Sequence, residues 1–442
     1  MTDTVPVADL VDQNCHGVLR TELGLGTFEA RLGAARAPAA PGTTLFDTQT
    51  GFAVRRWCPP LLGLEAHCPP AHYLARRREL GVAETSRRLL RATGVSAHLV
   101  DTGLPGDLTG PAEMASAAGS EAREIVRLEI LAEHVADTSG TVDAFLVNLG
   151  EAVHTAASSA VAFTSGVAVA PVGGKAPRVA PEPPEPVRLR AAAGRWLARR
   201  EEERRAARRG TGGRGGGGVR VEPELLDHLR WSAVACGLPL QLRLGAADPA
   251  RLADFAAATE GHGCDLVLLH GYPHHRQAAA LAGRHPHVYA DLGTVPARTG
   301  ARAAGVLAEI MELAPFGKLL FSSGAQELPE LHLVGARQFR EALGRVLGGW
   351  VEDGAWTRQD AARVTKKGRR ARARRPFFVR AWVRSFRPPS PGSSPAARRT
   401  GRAAGRARRR RARACSARAG SRRSTGWPSR TCGRRRGSRG RR

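Results

Sequence analysis

Nine polar residues stand at the ends of short apolar runs: Asp12, Asn14, His16, Asp101, Thr164, Arg243, His270, Asp291 and Ser323. Singly, each could be no more than the cap of a following helix. Together they offer carboxylates, imidazoles and a guanidinium at one recurring place, the end of a strand. In a parallel barrel that is where the chemistry happens, because the loops after the strands form the mouth of the fold. The set therefore reads as the polar mouth of an enzyme.

Positioning such a mouth takes strands alternating with helices, and the chain supplies them. Apolar runs at 8–11, 96–100 and 161–163 end at Asp12, Asp101 and Thr164, while 124–128 fits a strand or a helix equally well. The second half is clearer. A helix over 223–236, closed by Gly237, leads to a strand over 238–244 and a helix over 249–259. A strand over 265–269 precedes a helix over 274–283. The run 287–290 precedes a helix over 301–313, and 318–321 precedes one over 331–350. This alternation predicts an α/β fold of the TIM-type (β/α)8 class. Residues 171–218, with PEPPEP, RREEERRAARR and GTGGRGGGG, read as a flexible insertion within one βα connection, a loop with one charged helix and a glycine hinge.

The net charge of +28 misleads about this barrel. Of the 68 Lys and Arg, 29 lie in residues 366–442 with no Asp or Glu, leaving 39 basic against 40 acidic residues in 1–365. The body is neutral, which removes the electrostatic reason to expect a nucleic-acid or membrane partner for it. The arginine-rich remainder has too few spaced apolar residues for a core and is expected to be a disordered C-terminal tail. Its arginines, with Trp382, Phe386 and Trp427, could bind nucleic acid nonspecifically. Its composition (Arg, Ala, Gly, Ser and Pro without acids) has the look of a GC-rich gene translated out of frame, and a tail without selected function is the favoured explanation.

Seven cysteines without a CxxC pair, no apolar run long enough for a membrane span and no basic-then-apolar start all point to a cytoplasmic protein. Cys58 and Cys68, each followed by two prolines, are expected to bracket a rigid loop as idle thiols. His72, His98 and His154 are expected to be surface or structural. Gly24-Leu25-Gly26 lacks the third glycine of a dinucleotide loop.

The motifs VDQNCHGVL, GFAVRRWCPPLLGLE, SRRLLRATGVSAHLVDTGL, Arg127–Glu129, LPLQLRLGAADP, LLHGYPHHRQAAALAGRHPHVYADLG and LAPFGKLLFSSGAQELPELH, spread from about residue 5 to 365, resemble the amidohydrolase-related family. The branch is the one related to the N-terminal domain of fungal glutamine-synthetase-like proteins. The resemblance implies a metal-dependent hydrolase acting on C–N bonds of a small molecule. In such a site a divalent metal, zinc above all, lowers the pKa of its water toward neutrality and polarises the substrate carbonyl. Carried over by position, the family's first-strand His-x-His falls on Asn14 and His16. Its fourth-strand lysine falls on Thr164, its fifth-strand histidine on Arg243 and its eighth-strand aspartate on Gly324. His270 retains the sixth-strand histidine, and His275 also matches. The resemblance thus implies a metal held by His16 and His270, and Asp291 or a water would complete the shell. Arg243 becomes an anion contact, and Arg127, Glu129 and His275 line the substrate. With so many positions replaced, hydrolysis is expected to be impaired. The alternative is a pseudoenzyme or anion-binding module with Arg243 and Arg127 as its ligands. The sequence sets no oligomeric state.

Overall fold

The computed structural model describes residues 10–33, 37–167, 178–209, 221–245 and 247–365. The expected tail, 366–442, and the glycine-rich stretch at 210–220 lie outside these residues. Eight strands run in chain order: β1 (Leu10–Cys15), β2 (Val95–Asp101), β3 (Glu121–Arg127), β4 (Ala162–Gly166), β5 (Leu240–Arg243), β6 (Leu266–Leu269), β7 (Val288–Asp291) and β8 (Leu319–Leu320). Each pairs in parallel with the next. Beyond β8 the chain returns to β1, where Gln13 N–H donates to Phe321 O at 2.9 Å and Gly324 N–H to Asn14 O at 3.0 Å. These bonds bring the sheet round into a nearly closed TIM-like barrel.

The ambiguous run at 124–128 resolves as strand. It is flanked by strands on both sides, and that tertiary pairing decides what periodicity left open. Alternation then sorts the barrel residues. Leu240, Leu242, Leu266 and Leu268 face the surrounding helices in the main apolar core, whereas Val267, Leu269 and Leu320 pack together inside the barrel. The register of neighbouring strands carries the inward face to Asp101, Arg127, Thr164, Arg243 and Asp291.

β1 breaks this rule. Asp12 pairs with His98 but Cys15 pairs with Val100, so β1 spends three steps where β2 spends two. The extra residue is a β-bulge, and it reverses the facing of the later residues in the strand. Asp12 and Cys15 consequently share the outward face with His98. Simple alternation would place Asp12 with Asn14 and His16 and apart from Cys15.

The insertion at 171–218 holds the charged helix expected of it, Pro186–Arg208, which seats Trp196 against Phe145 in the core. Cys58 and its prolines close the helix Gln49–Leu61 ahead of the loop at 62–69, and Cys58 is a buried free thiol. No described helix is long and apolar enough to cross a membrane.

Candidate functional site

Inside the mouth the charged groups find one another. Asp101, at the end of β2, is wholly buried and accepts from Arg127 Nη2 at 2.6 Å, Arg127 Nε at 3.2 Å and Arg243 Nη1 at 3.4 Å. Its other oxygen takes the Gly103 N–H at 2.9 Å. Burial pushes this carboxyl's pKa up, but His16 and the two guanidinium groups outweigh it, and the net shift is down. Arg243 reaches onward to Glu129 Oε2 at 3.6 Å, and Glu129 Oε1 is held by Ser165 Oγ at 2.9 Å and Gly166 N–H at 2.6 Å. Two arginines thus meet two carboxylates, and Arg127, Glu129 and Arg243, all picked out in the sequence, do converge. Their charges cancel, so Arg127 and Arg243 are not the free anion ligands that the resemblance implies.

The two retained histidines sit above this network. His16 Nδ1 lies 2.8 Å from the Asp101 carbonyl, which makes it the N–H donor and leaves Nε2 with the lone pair. Burial pulls the His16 pKa down to about 4. His270 follows β6 in a left-handed conformation (φ 59°), with its Nδ1 buried and without a hydrogen-bond partner. Burial, helped by the His16 and Arg243 charges, pulls its pKa down to about 3. Its ring occupies the space freed by two glycines. A Cβ at Gly293 would stand 2.4 Å from Nδ1, and one at Gly324 2.9 Å from Cε1 and 2.5 Å from Thr294 Cγ2. The position that should carry the eighth-strand aspartate is therefore filled by its neighbours.

Asp291 is held by Ser322 Oγ, which donates to its Oδ2 at 2.7 Å, while its Oδ1 has no partner; burial raises its pKa to about 8. Asn14 turns across the barrel and donates to Gln241 Oε1 at 2.9 Å. Among the described residues, no three ligating atoms that include His16, His270 or Asp291 lie mutually within 4.8 Å; such a group is formed instead by Asp12, Cys15 and His332. A catalytic zinc takes three protein ligands and an open position. The mouth offers two neutral imidazoles beside a permanent cation, and its residues do not fit that ion.

Beside His270 opens a cleft of about 290 Å³, lined among others by Tyr272, Thr50, Thr294, Ser323 and Arg298. Arg298 is exposed and makes no ion pair among the described residues. It is the uncompensated cation of the site, and sequence reasoning missed it because it lies in the short helix Val295–Thr299, past a strand end rather than on one. His275 belongs elsewhere. Its Nε2 lies 2.9 Å from Glu309 Oε2 and its ring stacks on Tyr272, so it ties two outer helices together. His72 and His154 are exposed as expected, but His98 is buried.

No protein-family profile matches the chain. A protein from Lactobacillus casei, provisionally described as a metal-dependent hydrolase, superposes with a TM-score of 0.64 at 22% identity, covering 81% of this chain and 96% of that one. The uronate isomerase of Thermotoga maritima superposes with a TM-score of 0.50 at 13% identity, covering 81% and 92%. In sequence, Protein fluG of Emericella nidulans is 37% identical over 134 residues, which is 28% of this chain and 15% of that protein's length. The chain therefore shares the barrel fold of that Lactobacillus casei protein and is homologous over 134 residues to Protein fluG.

Proposed function

We propose that this barrel binds a small anionic molecule in the cleft beside His270 and that the metal-dependent hydrolysis of C–N bonds associated with its fold is impaired. The observation that carries the reading is Arg243, set between Asp101 and Glu129 where the resemblance calls for a metal-binding histidine. A guanidinium there repels a second cation, and in a partly desolvated site that repulsion is weakly screened. Arg298 supplies the charge that a carboxylate or phosphate would meet, with Thr50 and Ser323 in the same lining.

Thermal-shift titration with small carboxylates and phosphate tests the binding. A ligand at a hundred times its Kd adds about 2.7 kcal/mol of stability. Arg298→Met should weaken binding by roughly 10- to 100-fold, the worth of one charge-assisted hydrogen bond. No member of the ligand panel binding, or binding indifferent to Arg298→Met, would contradict the proposal. A second reading, retained metal-dependent hydrolysis, draws on the unpartnered His270 Nδ1. It predicts zinc-stimulated amide hydrolysis that disappears in His16→Ala and His270→Ala.

A further inference from the structure

Behind β1, on the side away from the mouth, a second set of ligating groups is enclosed. Asp12, Cys15 and His332 each offer an atom within 4.8 Å of the other two, and all three residues are buried. The bulge in β1 brings the first two to one face. The third comes from the helix Pro329–Glu352, which is pinned at its start: Glu330, wholly buried, pairs with the Arg77 guanidinium at 2.8 Å and accepts from the Tyr73 hydroxyl at 2.7 Å. Close packing of Gly335 against Ser323 Cβ, where a Cβ would stand 3.0 Å away, holds that helix to the end of the barrel.

The histidine is the telling member. His332 is 1% exposed and leans on the His16 backbone in a weak hydrogen bond, and neither ring nitrogen has a partner at full hydrogen-bond geometry. A buried polar group without a full partner is costly, because it has given up its hydrogen bonds to water. His98 is in a similar state. It is level with Asp12 on β2, its ring centroid is 6.1 Å from that of His332, its Nδ1 meets Ser120 Oγ at 3.2 Å, and its Nε2 has no partner. A hydrogen bond on one imidazole nitrogen with the other left free is how a metal-binding histidine is usually oriented. Asp12 is steadied in the same manner by the Ser323 N–H (2.9 Å) and Ser323 Oγ (2.5 Å), each oxygen retaining a lone pair.

We propose that Asp12, Cys15 and His332, with His98 as fourth donor, form a closed zinc-type metal site that fastens the outer face of β1 and β2 to the helix Pro329–Glu352. A mixed set of thiolate, imidazole and carboxylate suits zinc, and four protein ligands with no open position mark a structural site. Tetrahedral zinc with bonds of about 2.0–2.3 Å keeps its ligand atoms roughly 3.5 Å apart, so the three atoms within 4.8 Å must draw in and the His98 ring, outside that group, must turn to join them. On binding, the Cys15 thiol, which now donates to Leu99 O at 3.5 Å, gives its proton to solvent. The Asp12 carboxylate and the Cys15 thiolate then balance the dication, while both histidines stay neutral.

The test is the full chain expressed in cobalt-supplemented medium, since a buried site loads as the protein folds. The expected result is about one cobalt per chain with a thiolate-to-cobalt charge-transfer absorption. That band should vanish in Cys15→Ser and persist in His270→Ala, with circular dichroism confirming the fold. Should Cys15→Ser misfold, His332→Gln should lower the cobalt content instead. A wild-type chain with under about 0.1 metal, against the one a filled site holds, would overturn the site, leaving a trapped water to satisfy His332. A band that survives Cys15→Ser would also overturn it. Metal without a thiolate band that is lost in His270→Ala would refute the mouth reading as well, which keeps the two failures distinct.

Discussion

The two faces of β1 handle buried polar groups in opposite ways. On the inner side, Asp101 and Glu129 meet Arg127 and Arg243, and the carboxylates and guanidinium groups neutralise each other at hydrogen-bonding or near-contact distance. On the outer side, Asp12, Cys15 and His332 come together with the His98 ring beside them, and the two imidazoles leave ring nitrogens without partners at full hydrogen-bond geometry. The inner set balances its charges within itself, although Glu129 Oε2 and the neighbouring His270 Nδ1 lack hydrogen-bond partners; the outer set holds a carboxyl and a thiol with no cation among them. A fold whose relatives include a protein described as a metal-dependent hydrolase has here a mouth closed to a cation and a cluster, one residue layer away, with donors to spare.

The largest effect expected on this contrast is that of Arg243→Met. Removing one partner of a buried charge network typically costs about 3–5 kcal/mol, because Asp101 and Glu129 would lose a shared counter-charge. Chemical denaturation reads it, and a loss under about 1 kcal/mol, the range of exposed pairs, would mean that the network does not hold the mouth. Next comes Gly324→Asp, which puts the missing aspartate back. With its Cβ 2.5 Å from Thr294 and 2.9 Å from His270, the variant should lose about 1–3 kcal/mol and gain no zinc-dependent turnover. Restored turnover would show that the space is available after all.

Asp291→Asn sharpens the comparison through pH. Burial holds the folded-state carboxyl near 8 against an ordinary 3.8, so this group favours the folded state fully below about pH 4 and loses that contribution as pH rises to about 8. The wild-type chain should therefore fall behind Asp291→Asn in melting temperature across about pH 4 to 8, with the gap level above that. A gap independent of pH would place an ionised Asp291 in the mouth. The smallest effect belongs to His275→Ala. Its polar partners are Glu309 and Pro273 O, and it meets the cleft only by stacking behind Tyr272, so ligand affinity measured by the same titration should change little.

Much of this molecule is legible in the sequence, and the illegible parts have local causes. All eight strands fall at or beside the predicted apolar runs, since each needs only a few β-favouring residues ended by a polar one. Arg127, Glu129 and Arg243 could be named because motif positions carry over without knowledge of partners. Asp101 as the hub that neutralises them could not, because pairing across three strands leaves no trace in spacing. The outward turn of Asp12 is hidden by a single-residue bulge: VDQNCH reads as plain alternation, and only the pairing with VSAHLVD shows the extra step. His332 is hidden for another reason. Its helix reads as an ordinary amphipathic one, and a histidine on the buried face gives no sign of whether its nitrogens are satisfied.

The contrast between the two faces can be tested in one measurement. Crystals of the zinc-loaded full chain, with data collected at the zinc absorption edge, would locate the metal by its anomalous signal. The expected result is a peak bounded by Asp12, Cys15 and His332, and none between His16 and His270. A peak at His16 and His270, with Arg243 swung clear of it, would contradict that assignment.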